Sequence, residues 1–561
     1  MKILSVSFIF VLFIFGCDDD SANNTQSCGA NEHLEDMACV CNDGYHFENN
    51  ECISESNNCT EPCGDNEHCE DGACVCDDGY HRDGDNCVLD NTNPCANVDC
   101  GEQGSCVNIE GAAACECDYG YVSSDQFCIH LRDAFDQAVA NQDSDLVWLL
   151  WSKYDHPVRL NGEILFITRA QPDEDIRLIG DFNAWDENAQ PMSTLFLDEF
   201  RYQIVQVSHN DPVFYKYKSN EWYPDPDNQY FIFNPDNNSV VFGEGKGRIT
   251  ARTVPSVDLN NNERQIYIYL PGAYFQSSSK FPAIYMQDGD NLFAGNPLAI
   301  FGTWNIRTNL DQAIEDGLLE PVAVVGITTV NREEEYLHVD GLLDTEQVGK
   351  LDLYTNYLIN TVIPEMETSF RFESAKESRA VSGSSLGGIS SFIIAWNNPD
   401  IFGKVASFSP SSWIGEEPES DHLVSMLDIV NSATSLPTLK IYLDSGDTNQ
   451  DGTSTYASDA RVYTEYLRNQ LISKGWSGRS EWLESGETAP INYSVDTPQE
   501  QIPTLWWSAD TPQDYSDYFD YLKPQNNLLH LVGQQHKHNE PAWSQRVNAA
   551  FIYLFPTQSG S

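Results

Sequence analysis

Residues 379–390 read RAVSGSSLGGIS and set Gly383, Ser385 and Gly387 in a G-x-S-x-G pattern. That spacing suits a nucleophile held on a tight strand-to-helix turn. The positions two residues either side of the serine must be small, because Cβ atoms there would collide. Such a turn presents the Ser385 hydroxyl to solvent, and the N–H of Leu386 can help hold a developing oxyanion. The flanks fit: Ala380-Val381 reads as the end of a buried strand, and Ile389, Phe392, Ile393 and Ala395 recur at helical spacing until Pro399. The plain alternative is a glycine-rich turn without chemistry. A base and an acid must come from elsewhere in the chain.

From residue 264 onward, apolar strands alternate with helices. Residues 265–270, 283–286, 322–327, 379–383, 405–408, 439–443 and 528–532 read as buried strands. Intervening helices point to a mostly parallel, doubly wound α/β sheet over 251–557. The serine turn falls between one of these strands and the next helix. His536 and His538 follow the last strand. Asp444 reads as the end of strand 439–443, and Asp447 and Asp451 lie in the loop beyond it. An acidic loop of this kind is also a candidate calcium site.

Seven segments in this region resemble the Putative esterase family, the esterase D and enterochelin esterase relatives among α/β-hydrolases. They are IYMQDGDNLF (284–293), GTW (302–304), VVGITTVNREEEY (324–336), AVSGSSLGG (380–388), ASFSPSSW (406–413), IYLDSGD (441–447) and HNEPAW (538–543). The resemblance implies Ser385 as nucleophile and His538 as base, because the family's H-N-E-x-x-W falls on it. His536 becomes a surface neighbour. The acid is Asp447, nearer the strand, or Asp451, which with Gly452 resembles the family's acid-glycine step. The second oxyanion donor is expected in the loop 288–292, at Asn291. Arg332 and Glu335 match positions near the cleft, or else form a structural ion pair. The implied activity is carboxylic ester hydrolysis through an acyl-enzyme. Acetyl or feruloyl esters on carbohydrate are the expected substrates. A siderophore ester is the alternative, and a non-catalytic surface binding protein is the reading from another class. No motif for a metal, nucleotide or flavin occurs, so no cofactor is expected. Residues 480–523, with Trp482, Trp506, Trp507, Tyr515, Tyr518 and Tyr521, are expected to form a lid or substrate wall.

The composition sets bounds. Among 561 residues, 30 Lys and Arg face 86 Asp and Glu, a net charge of −56. No phosphate-neutralising surface is available, which argues against nucleic-acid binding. Met1-Lys2, an apolar run over 3–15 and Gly16-Cys17 resemble a bacterial lipoprotein signal (1–16), which implies lipidation of Cys17 and anchoring at the cell envelope. An acidic tether (17–27) follows. All 17 cysteines lie at or before Cys128. With Cys17 set aside, an even 16 remain, in three repeats over 28–128 that each end C-x-C-x10-C.

This spacing resembles EGF-like domains, whose pairing (first with third, second with fourth, fifth with sixth) implies Cys59–Cys69, Cys63–Cys74 and Cys76–Cys87. In the third repeat it implies Cys95–Cys106, Cys100–Cys115 and Cys117–Cys128. The first repeat lacks the first and third thiols and keeps Cys28, Cys39, Cys41 and Cys52. The modules read as a stalk or as a surface for a protein partner. A helical linker (129–160) leads to short alternating strands over 161–250, a β-sandwich. There IRLIGDFNAWD (176–186) and FYKYKSNEWYPDPDN (214–228) resemble immunoglobulin-like carbohydrate-binding domains of the AMP-activated kinase β subunit and starch-branching enzymes. The resemblance implies sugar contacts at Trp185, Lys216 and Trp222, with Asn237 or Asn238 beside them.

Overall fold

The computed structural model describes residues 98–557 apart from 110–111, 125–126, 161, 208–210, 258, 260–261, 341–347, 416–423, 454–457, 477–504 and 509–526, with short strands and a turn between 32 and 95. The signal, Cys17 and Cys28 lie outside the described residues. So do Cys59, Cys63, Trp482, Tyr515, Tyr518 and Tyr521. The chain divides into two compact units, residues 1–98 with 107–114, and residues 99–106 with 115–561.

Among its described residues, the first unit forms two-residue-turn hairpins, such as Glu67–Glu70 with Ala73–Cys76, and Tyr80–Asp83 with Asn86–Leu89. Hairpins this short bury too little apolar surface to hold themselves, and Cys76–Cys87 staples two of them. In the second unit Cys100–Cys115 and Cys117–Cys128 do the same. These three bridges coincide with pairings the EGF resemblance implies, and Cys74, Cys95 and Cys106 are also disulfide-bonded.

Two helices follow, Leu131–Asn141 and Ser144–Lys153. Gln142 takes a left-handed conformation between them, and the Asp143 carboxylate caps the second by accepting from Leu146 N. They cover one face of a four-stranded antiparallel sheet that contains Glu163–Arg169 and Phe200–Val205. A second antiparallel sheet, built on Arg177–Gly180 and Val213–Lys218, covers the other face. In Val213–Lys218 the period-two alternation buries Val213, Tyr215 and Tyr217 and turns Lys216 and Lys218 outward.

Among the described residues, the remaining chain forms one nine-stranded sheet. Its strands are β1 (Arg248–Ser256), β2 (Asn262–Leu270), β3 (Ala283–Met286), β4 (Ala323–Ile327), β5 (Arg379–Ser384), β6 (Lys404–Phe408), β7 (Lys440–Gly446), β8 (Leu505–Ser508) and β9 (Leu528–Gln534). The spatial order is β1-β2-β4-β3-β5-β6-β7-β9-β8, antiparallel at β1 and β2 and parallel from β4 to β8. Strand side chains alternate between two cores. Ala283 and Tyr285 enter one, and Ile284 and Met286 the other. Helices α2 (Leu386–Asn397) and α3 (Arg461–Ser473) cover the first; α1 (Ile306–Glu315) and α4 (Glu540–Leu554) cover the second. This is the α/β-hydrolase-like layering expected.

Two strands depart from expectation. β1 starts at Arg248, inside the span assigned to the sandwich, and its full length pairs with β2. Its charged residues and Pro255 are tolerated because it is an edge strand. β8 carries Trp506 and Trp507 and pairs in parallel with β9 at the opposite edge, so this piece of the expected lid belongs to the sheet.

Candidate active site

Ser385 sits between the end of β5 and the start of α2 with φ 57° and ψ −121°. A side-chain-bearing residue there is strained by about 1–3 kcal/mol. The glycines explain how the chain gets through. A Cβ on Gly383 would lie 2.6 Å from the Gly387 carbonyl oxygen and 2.8 Å from Gln287 Cγ; one on Gly387 would lie 3.1 Å from Gln287 Cβ. The end of β6 clamps the turn: Ser385 N donates to Phe408 O and Ser411 N donates to Ser385 O, both at 3.0 Å. The Ser385 hydroxyl meets Ser411 Oγ at 3.3 Å rather than an imidazole. The Leu386 N–H opens α2, where a helix leaves its first amides without internal acceptors, open to an anion.

His538 lies between β9 and α4. Asn539 caps α4, its side chain accepting from Ala542 N at 3.1 Å. Trp543, one turn in, meets the imidazole edge-on at 5.1 Å and stacks on Trp304 at 5.6 Å. The expected acids do not reach this ring. Asp447 accepts from Gln535 N and Thr448 Oγ1, and Asp451 turns back on Thr453. The carboxylate on His538 is Asp459, with Oδ1 2.5 Å from Nδ1. The chain returns to the strand tip before α3, and Gly446 N donates to Asp459 Oδ2 across thirteen positions. Asp459 and Ala460 both take left-handed conformations to make that approach. The Asp459 side chain is fully buried, while that of His538 is 36% exposed. Burial alone would raise the Asp459 carboxyl. The hydrogen bond and charge of His538, with Arg546 and Ser409, instead hold it below the usual carboxylate range.

Behind this pair is a polar shell. Ser409 Oγ donates to Asp459 Oδ2 at 2.6 Å and accepts from Trp543 Nε1 and Arg546 Nη2. Arg546 also binds Asp444, both fully buried. Ser409 directly follows Phe408, whose carbonyl holds the Ser385 amide, so one strand end supports both the nucleophile turn and the acid. His536 is not the expected surface neighbour. It is buried, with Nδ1 2.8 Å from Arg546 Nη1, and burial together with that cation pushes its imidazole down to about 3.

On the other side, the loop after β3 differs from expectation at Asn291. Its N–H donates to Asp288 O within its own turn, so the backbone donor is taken, and its side-chain amide is turned toward Glu540 Oε1. Asp288 forms a two-bond ion pair with Arg332 at 2.7 and 2.8 Å, and Arg332 reaches Ser384 O at 3.3 Å. Glu335 instead pairs with Arg264 through two bonds, both side chains buried.

In the sandwich, the Trp185 and Trp222 rings lie 6.4 Å apart at 42°. Trp222 is exposed and carries Lys218 Nζ over its face at 5.0 Å. Lys216 is not part of this pair; it donates to Asp236 O. Asn237 is exposed in a left-handed conformation, and Asn238 closes a turn with Asn234.

Comparison with known proteins adds the family context. The family model described as "Putative esterase" matches residues 256–486. The chain is 32% identical over 167 residues to "Uncharacterized protein YbbA" of Bacillus subtilis, covering 29% of this chain and 63% of that protein. It is 30% identical over 152 residues to "Iron(III) salmochelin esterase" of Escherichia coli O6:H1, covering 27% of this chain and 32% of that one. Against "Endo-1,4-beta-xylanase/feruloyl esterase" of Xylanibacter ruminicola, identity is 25% over 158 residues, covering 27% and 20%. The chain thus spans less than two thirds of each relative's length.

Proposed function

We propose that this chain is an exported serine ester hydrolase. The observation that carries the reading is the Asp459–His538 pair, joined through Ser409 and Phe408 to the turn that presents Ser385. In the proposed cycle Ser385 Oγ attacks the acyl carbonyl while His538 Nε2 takes its proton. The Leu386 N–H donates to the oxyanion. As the C–O bond breaks, His538 returns the proton to the leaving alcohol. Water then attacks the acyl-enzyme with the same base, releasing the carboxylic acid and restoring Ser385. Asp459 fixes the tautomer with Nδ1–H towards the carboxylate and stabilises the imidazolium.

Acyl esters on carbohydrate, acetyl or feruloyl, are the favoured substrates. The Xylanibacter relative's name and the partly exposed Trp185–Trp222 pair, whose indole faces suit sugar rings, support this. The Escherichia relative's name supports a second reading, a siderophore ester. Lipidation at Cys17 would hold the enzyme at the cell envelope, with the disulfide modules as a stalk. The test is hydrolysis of p-nitrophenyl acetate, methyl ferulate, acetylated xylan and a catecholate trilactone by wild type and Ser385→Ala. Turnover lost in the variant supports the reading. Equal rates, or no turnover of any ester by folded wild type, sink it and favour a binding protein.

A further inference from the structure

The chain carries 30 basic residues against 86 acidic ones. Five of those cations nevertheless line one cavity of about 290 Å³: Lys153, Arg159, Arg248, Arg252 and Arg371, with Asp155 the one carboxylate among the described residues of its wall. In so acidic a protein, random placement would give a wall of this kind more carboxylates than cations. Three of the guanidinium groups, on Arg248, Arg252 and Arg371, are held by their flat faces against aromatic rings. Arg248 lies 3.7 Å over Phe275 and 5.1 Å over Tyr230, Arg371 lies 3.8 Å over Tyr274, and Arg252 lies 5.1 Å over Phe370. Stacking fixes each plane, and backbone carbonyls take part of each fork: Arg371 donates Nε to Ser279 O and Nη2 to Tyr274 O and Ser277 O, Arg252 donates Nη1 to Ala251 O, and Arg159 donates Nη2 to Phe242 O, so the remaining N–H groups are the ones that face an acceptor. The single carboxylate is shared: Asp155 lies 3.6 Å from Arg248 and accepts from Gln229 and Tyr230. Burial and the neighbouring Arg248 charge lower the Arg159 guanidinium, a mutual repulsion that a bound anion would relieve.

We infer that this cavity is a second binding site, for a small aromatic carboxylate. The cations supply two-bond recognition of the carboxylate. Tyr119, Tyr230, Tyr274 and Phe370 supply an apolar wall for a ring. The volume lies at the small end for ligand pockets and excludes a polysaccharide or folded peptide. The site is separate from Ser385. Arg371 O accepts from Phe281 N, just before β3, at the N-terminal edge of the parallel strands, while Ser385 follows their C-terminal edge. The six residues of β5 separate those edges by about 20 Å. The inference therefore stands or falls independently of the esterase reading.

The test is calorimetric titration of the full chain with 4-hydroxybenzoate, with benzamide and inorganic phosphate as comparisons, at concentrations up to about 10 mM. Wild type is expected to bind 4-hydroxybenzoate, and not benzamide. Lys153→Gln with Arg252→Gln is expected to weaken binding about tenfold while ester hydrolysis stays unchanged. Lys153→Gln alone, at an exposed position in the last turn of its helix, is expected to weaken it about threefold. No binding to wild type, or equal binding to wild type and both variants, overturns the proposal. Phosphate binding as tightly as 4-hydroxybenzoate overturns the ligand class.

Discussion

Replacing Asp459 by Asn should cripple turnover while leaving the fold in place. The carboxylate is buried, bonded to His538 at 2.5 Å, and held by Ser409 and Gly446 N. Opposite unit charges whose centres lie about 3–4 Å apart interact by about 5 kcal/mol at an effective dielectric near 20. That stabilisation exists only once the imidazole takes the proton from Ser385, so it lowers the barrier and not the ground state. At about 1.4 kcal/mol per decade, its loss is worth 10³- to 10⁴-fold in kcat. The amide also permits the wrong tautomer, with the ring proton facing Ser385. KM should change little, because Asp459 has no exposed surface to offer a substrate. The assay is steady-state hydrolysis of p-nitrophenyl acetate by wild type, Asp459→Asn, Asp447→Asn and Asp451→Asn. Asp447 bonds Gln535 N and Thr448, and Asp451 bonds Thr453, with neither on the His538 ring, so their variants should stay within about threefold of wild type. A loss confined to Asp447→Asn or Asp451→Asn, with Asp459→Asn near wild type, would refute the assignment of the acid.

Ser409→Ala removes one donor to Asp459 and the acceptor of both Trp543 and Arg546. It should cost about 2–3 kcal/mol in denaturant unfolding, with kcat down roughly tenfold. Gly383→Ala puts a methyl group 2.6 Å from a backbone oxygen, so the nucleophile turn must move. Activity should fall more than a hundredfold, with stability down about 1–3 kcal/mol. Burial and neighbouring Lys440 push the Lys404 amine down to about 7. Its folded pKa is then below its unfolded value of about 10.4, so native stability rises as pH climbs between the two. The full shift is worth about 4–5 kcal/mol. The Phe555 ring, 3.6 Å beneath the ammonium, returns about 1–2 of this. Lys404→Met should therefore stabilise by about 2–3 kcal/mol near pH 6 and by almost nothing near pH 10. A gain independent of pH in thermal unfolding would disprove the cause given.

What the sequence could reveal followed the range of the forces involved. The Ser385 turn was legible because its requirement is local: a strained serine, two glycines and a strand–helix junction within a dozen residues. His538 was legible through HNEPAW, whose Asn539 caps α4 and whose Trp543 braces the ring. Asp459 was not, because its role depends on the path of the loop after β7. Asp447 and Asp451 lie nearer in sequence, but the chain turns them outward and brings Asp459 back through two left-handed residues. The only sequence cue was its place at the mouth of α3. β1 was obscured by its charged, proline-bearing edge pattern. The cationic cavity was invisible for the same kind of reason, since Lys153, Arg252 and Arg371 are neighbours only after the sheet has formed.

The most direct measurement is peptide mass spectrometry after exposure of the full chain to a fluorophosphonate. The account predicts one phosphonylated serine, Ser385, with labelling abolished in Ser385→Ala and slowed by orders of magnitude in His538→Ala. Folded protein left unlabelled, or labelled on a different serine at the wild-type rate, would contradict it.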